Sequence, residues 1–185
     1  MKLNLEHKGF TLVEMLVVVA IASIILIAIY TYFSNTFMTA QENIKISRIE
    51  GEAKKLNDSI YQWLSMSDQT TVTYTYTAGG AKTVVMDVYQ TNNPAPSAVP
   101  DIRIKITYNP ANKEIIVEKN YLGSGHTPSP SPPPVYSYLK GSVERFDVVF
   151  IPADKIEIEY DVVIKRRAHG AAKRTYKVSY MLRTF

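Results

Sequence analysis

Lys8-Gly9-Phe10-Thr11-Leu12-Val13-Glu14-Met15-Leu16 opens a stretch that stays almost wholly apolar to Phe33, with Glu14 its single charge from Phe10 onward. Between Met15 and Tyr30 the only polar side chain before the terminal tyrosine is Ser23. No proline or glycine interrupts the chain from Phe10 to Glu50. A helix of about 20–24 residues rises ~30–36 Å, enough to cross a bilayer core. A carboxylate inside such a segment costs ~2.5–3.5 kcal/mol at mid-bilayer. A chain that keeps one there has a use for it. Two plainer readings compete. A cleavable secretory signal has an apolar region of about 7–15 residues followed by a small-x-small site. This run is longer, and Tyr32-Phe33-Ser34-Asn35-Thr36-Phe37 follows it. A plain single-pass anchor explains the length but neither Glu14 nor the Gly9-Phe10 junction.

The short basic leader, the Gly9-Phe10 junction, Thr11-Leu12-x-Glu14 and the long helix after them resemble the N-terminus of the type IV pilin and pseudopilin family. The detailed resemblance runs over about residues 8–35. It implies that the membrane prepilin peptidase cuts between Gly9 and Phe10 and methylates the new amine of Phe10. The chain is then a substrate and performs no chemistry. A small residue before the scissile bond lets a peptidase approach the backbone. After the cut, Glu14 lies one turn from a cationic amine. Locally, an acid in the first turn complements the helix dipole by ~0.3–1 kcal/mol. In the family, the matching glutamate neutralises the N-terminal amine of a neighbouring subunit during assembly. Two charges in lipid attract strongly when paired and are costly when separate. Such a pair fixes register between sliding helices, as one buried polar residue does in a coiled coil.

Two departures refine the resemblance. Many pilins carry a kinking proline in the membrane segment, where this chain has Tyr30, Thr31 and Tyr32. Many major pilins also carry paired C-terminal cysteines, and this chain has no cysteine. Both absences point to a minor pilin or pseudopilin. Phe146–Phe150 and Tyr180–Arg183 resemble the C-terminal region of W-type minor pilins and J-type pseudopilins.

Flanking charge orients the segment. Lys2, Lys8 and the initiating amine precede it, opposed by Glu6, and the first charge after it is Glu42. The positive-inside rule puts the N-terminus in the cytoplasm and the rest outside. The expected location is the cytoplasmic membrane, then a pilus or pseudopilus. The chain has 185 residues, which suits one domain plus an anchor. The net charge of +4 is too small to imply nucleic-acid binding by itself. Without cysteine the outer domain holds together by packing alone, and thiolate metal sites and cysteine nucleophiles are excluded.

The helix is expected to continue past the membrane. Phe33, Phe37, Ala40, Ile44, Ile49, Ala53, Leu56, Ile60 and Trp63 recur at helical spacing and read as one apolar stripe. Glu50-Lys54 and Arg48-Glu52 support a solvated opposite face. Gly51 costs ~1 kcal/mol relative to alanine and is a candidate bend. The run ends near Ser65–Asp68. From Thr71 the period becomes two. Hairpins are predicted over 72–89 and 102–121, strands over 143–151, 156–165 and 175–183, and a loop over 90–100. The Pro-rich tract 123–135 reads as loop. The fold class is therefore α+β: a long N-terminal helix, membrane-spanning then amphipathic, on a C-terminal antiparallel sheet domain. The expected organisation is leader 1–9, membrane and assembly helix 10–33, amphipathic continuation 34–67, and extracytoplasmic β-domain 70–185.

Little else carries chemistry. Lys165, Arg166, Arg167, Lys173 and Arg174 flank one turn and read as a basic tip for DNA phosphates or anionic lipid, or as a charge-protected hairpin. Alternating threonine and tyrosine at Thr73–Thr77 read as an adhesive edge or an ordinary half-exposed strand. His7, His126 and His169 lack ligand spacing. Gly79-Gly80-Ala81-Lys82 lacks the phosphate-loop pattern, and Asp154 and Asp161 fit no EF-hand. No metal, cofactor or catalytic set is implied. Expected partners are prepilin peptidase, other pilins through the N-terminal helix, and the bilayer. The alternative function is a single-pass anchored β-domain that binds DNA or a surface ligand without polymerising.

Overall fold

The computed structural model describes residues 11–67, 71–77, 80–89, 100–122, 132–151, 155–166 and 170–182. The leader, Gly9, Phe10, Arg167, Asp154, the three histidines and most of both long loops lie outside the described residues. The chain divides into two compact units, Met1–Lys45 and Ile46–Phe185. Helix α1 (Leu12–Ser65) begins in the first and ends in the second. Gly51 lies within it without interrupting it.

The apolar stripe is divided. In the second unit Ala53, Leu56, Ile60, Trp63 and Leu64 are buried, with Ile46 and Ile49 packed beside them. In the first unit Phe33 and Phe37 are exposed, and so is Ile44, at 70%. The buried face thus enters the second unit through Ile46, spaced three, four, three, four and three along to Trp63. Ile44 lies off that line.

Strands β1 (Thr73–Tyr76), β2 (Lys82–Val88), β3 (Ile102–Asn109), β4 (Glu114–Tyr121) and β5 (Val135–Tyr138) form one antiparallel meander in chain order. Strands β6 (Val143–Ile151), β7 (Lys155–Arg166) and β8 (Gly170–Met181) form a second. The sequence reading assigns no strand between the Pro-rich tract 123–135 and residue 143, where β5 lies. Prolines 132–134 end beside β4, where the carbonyl of Pro134 accepts from Lys119 N at 3.1 Å, and the next residue starts the strand. Strand β8 also begins earlier than expected, at Gly170 rather than Thr175.

Each sheet turns one face to the core, because alternate residues share a face. Val84, Ile106 and Val117 line up across β2, β3 and β4, and Phe146, Tyr160 and Tyr176 across β6, β7 and β8. Tyr160 is fully buried, and its hydroxyl donates to the Ala53 carbonyl at 2.9 Å. The small side chain of Ala53 leaves room for that approach. The chain crosses between the sheets at Leu139–Ser142. Leu139 adopts φ 57° while buried, and its amide donates to Glu52 Oε2 at 3.2 Å. Backbone strain of ~1–3 kcal/mol at such a residue persists only where its surroundings over-determine it.

The solvent face of the second sheet carries an ion lattice. Asp161 is fully buried and accepts from Arg145 at 2.7 Å, Lys173 at 2.8 Å and Thr175 at 2.7 Å. Arg145 also pairs with Glu159 and Asp147, and Lys82 of the first sheet pairs with Asp147. Lys177 and Lys155 pair with Glu157 at 2.7 and 2.9 Å. Burial alone raises the Asp161 pKa, but hydrogen bonds from Lys173, Thr175 and Arg145 bring it down to about 2. Hydrogen bonds from Lys177 and Lys155 likewise hold Glu157 at about 2. A carboxylate depressed on folding stabilises the protein above its unfolded pKa and loses that contribution as pH falls through its folded pKa. Between about pH 4 and pH 2, Asp161 is expected to lose about 1–2 kcal/mol of stability, discounted because its cations are half exposed. Urea unfolding of residues 37–185 checks this. Asp161→Asn should be less stable at pH 7, with the gap closing towards pH 2. A gap independent of pH would contradict it.

Candidate assembly and processing segment

Thr11 and Glu14 form a reciprocal cap at the start of α1. Glu14 Oε2 accepts from Thr11 N at 2.9 Å and Thr11 Oγ1 at 3.0 Å. Glu14 N donates back to Thr11 Oγ1 at 3.3 Å. The Thr11 carbonyl accepts the first helical bond, from Met15 N at 3.2 Å. This is a capping box, with threonine before the helix and glutamate at its third residue. The Thr-x-x-Glu spacing carries that signal in the sequence, beside the dipole and amine-pairing roles of Glu14. Among the described residues, Glu14 Oε1 has no hydrogen-bond partner.

Every residue from Thr11 to Phe33 is exposed. α1 is long and apolar enough to cross a membrane. The hydroxyls within the run are satisfied locally, Ser23 donating to the Val19 carbonyl at 2.7 Å and Thr31 to Ile27 at 2.8 Å. Such bonds let hydroxyls enter lipid without an orphan donor. Glu14 is therefore the one side chain charged at neutral pH in a segment otherwise prepared for an apolar environment. Its cap satisfies hydrogen bonds but leaves its charge without a described counter-ion.

The basic residues are not gathered on one face. Strand alternation puts Lys165 and Lys173 on the solvent face of the second sheet, and Arg166 and Arg174 on the other. Lys173 pairs with Asp161, and Arg174 pairs with Glu50 of α1 at 2.8 Å. Lys165 and Arg166 stand together at the end of β7. Arg167 lies outside the described residues, as do Gly9 and Phe10. No cluster of metal-ligating side chains occurs among the described residues.

Residues 6–30 match the family described as the prokaryotic N-terminal methylation motif. Nothing among curated proteins or solved structures matches the chain. The match spans Gly9, Phe10, Glu14 and most of the apolar run, and it ends before the β-domain. The motif implies processing by prepilin peptidase and assembly with other pilins, in a family whose role is structural. Motif and apolar helix together support a type IV pilin-like, membrane-anchored protein.

Proposed function

We propose that this chain is a minor pilin of the W-type or a J-type pseudopilin, a structural subunit of a type IV pilus or a related type II secretion or competence filament. It enters the cytoplasmic membrane with its N-terminus inside and its β-domain outside. Prepilin peptidase removes residues 1–9 and methylates Phe10. The mature helix then joins other pilins, with Glu14 neutralising the Phe10 amine of a neighbour. The observation that carries this reading is Glu14, a lone carboxylate at the head of an exposed apolar run. A plain anchor gains from that charge only the helix cap and dipole complement, together about 1–2 kcal/mol, against the ~2.5–3.5 kcal/mol cost of a carboxylate in lipid. The absence of cysteine and of a proline in the run favours a minor subunit.

Intact mass of chain extracted from cells with an active prepilin peptidase tests the maturation step. The chain should begin at Phe10 and carry one methyl group. Gly9→Val should retain Met1–Gly9, because a β-branched side chain hinders the backbone approach a peptidase needs. Normal maturation of that variant would refute the cleavage assignment.

A further inference from the structure

The cations of the β7–β8 hairpin fall into two groups. Lys155, Lys173, Arg174 and Lys177 each hold a carboxylate. Lys165 and Arg166, adjacent at the end of β7, form no ion pair among the described residues. Lys165 is exposed, and the buried Nε of Arg166 has no hydrogen-bond partner. No acid follows Asp161 in the sequence, so nothing in that stretch offsets them.

The hairpin also projects. Pairing of β7 with β6 ends at Val143–Val162, whereas β7 and β8 stay paired to Arg166–Gly170. Contacts with α1 give its direction within the second unit. Tyr180 meets Tyr61, Tyr160 meets Ala53, and Arg174 meets Glu50. Towards the tip the strand therefore follows the helix back towards Ile46, where the chain enters this unit. From Arg174 the strand runs four residues further, ~13 Å, to Gly170. Residues 34–45 link the apolar run to Ile46 and reach at most ~45 Å however they lie. An anchored chain thus holds this end of the unit at high local concentration beside the bilayer surface.

We propose that the paired ends of β7 and β8 are a docking surface for anionic lipid headgroups, contacted edge-on by exposed Lys165 from one face of the sheet and by Arg166 from the other. Lipid phosphate supplies the carboxylate-like partner that the other described cations of this hairpin have within the fold and these two lack. Docking orients the β-domain at the membrane before assembly and is released when the subunit leaves it. The inference rests on the membrane-anchored reading above.

The test uses the full chain in nanodiscs. Because the chain has no cysteine, Ala171→Cys, opposite Lys165 and exposed, carries a single fluorophore. Quenching by headgroup nitroxide lipid reports docking. Docking is expected in phosphatidylglycerol nanodiscs, and should be absent in phosphatidylcholine and at high salt. Its equilibrium constant should fall roughly fivefold for Lys165→Gln and roughly 25-fold for Lys165→Glu, at about 1 kcal/mol per charge. Lys155→Gln, at the far end of the same strand, should leave it unchanged. Equal quenching in both lipids, or no response to Lys165→Glu, overturns the inference while leaving anchoring intact. A response to duplex DNA and none to phosphatidylglycerol overturns it in favour of a nucleic-acid site. Failure of the chain to enter the nanodisc refutes the anchored reading and this inference together.

Discussion

Glu14→Val is expected to insert and to lose residues 1–9 normally, yet to vanish from the assembled filament. Removing the charge favours insertion by up to ~2.5–3.5 kcal/mol. In the bundle, the Phe10 amine of a neighbour is left buried and unpaired, which costs roughly 3–5 kcal/mol. That corresponds to a drop in incorporation of roughly two to three and a half orders of magnitude at equal membrane abundance. The cap between Thr11 and Glu14 gives this experiment a control. Losing a cap costs only ~0.5–2 kcal/mol, and glutamine at that position preserves the capping box. Glu14→Gln therefore separates the two roles. If charge pairing drives assembly, the glutamine variant fails almost as badly as valine. If capping is the whole role, glutamine restores wild-type incorporation and the pairing role falls.

Trp63→Ala should destabilise the second unit by ~3–5 kcal/mol. Trp63 is 8% exposed, and Lys119 Nζ lies 5.2 Å from its ring and 5.3 Å from that of Tyr136. Most of the loss comes from the space the buried indole leaves, since an ammonium that stays partly solvated, as that of Lys119 does, adds only ~0.5–1 kcal/mol over the ring. Lys119→Ala should accordingly cost no more than about 1 kcal/mol. Chemical denaturation of residues 37–185, expected to be a folded monomer, reads both. An unchanged midpoint for Trp63→Ala would mean that the helix stripe does not pack where Trp63 lies.

Much of this fold is legible because its periodicities are clean. The 3.6-residue stripe from Ala53 to Trp63 is buried as the sequence predicts, with Ile49 partly buried beside it, and both hairpins of the first sheet begin and end within about two residues of expectation. The misses share a cause, which is that partners came from elsewhere in the fold. Strand β5 is four residues long, directly after three prolines, and pairs only through β4. Ile44 fits a stripe by spacing, but Ile46 is the residue that meets the core. Asp161 is uninformative alone. Its signal lay in side chains two apart on three successive strands: Arg145 and Asp147, then Glu157, Glu159 and Asp161, then Lys173 and Lys177 with the Thr175 hydroxyl between them. The same parity separates Lys173 from Arg174, which the sequence had grouped with the tip. Around Gly9-Phe10 the sequence pattern is legible without any structure, and residues 6–30 match the prokaryotic N-terminal methylation motif.

Photo-cross-linking from Ile25 in living cells tests the filament assignment most directly. Ile25 lies in the apolar run and is exposed in the isolated chain. A photoreactive residue there should give adducts with other chains that carry the same N-terminal motif. Those adducts should require the assembly ATPase and should be lost in Glu14→Val. Adducts with lipid alone, or the same protein adducts with and without the ATPase, would contradict a filament subunit and leave a plain membrane anchor.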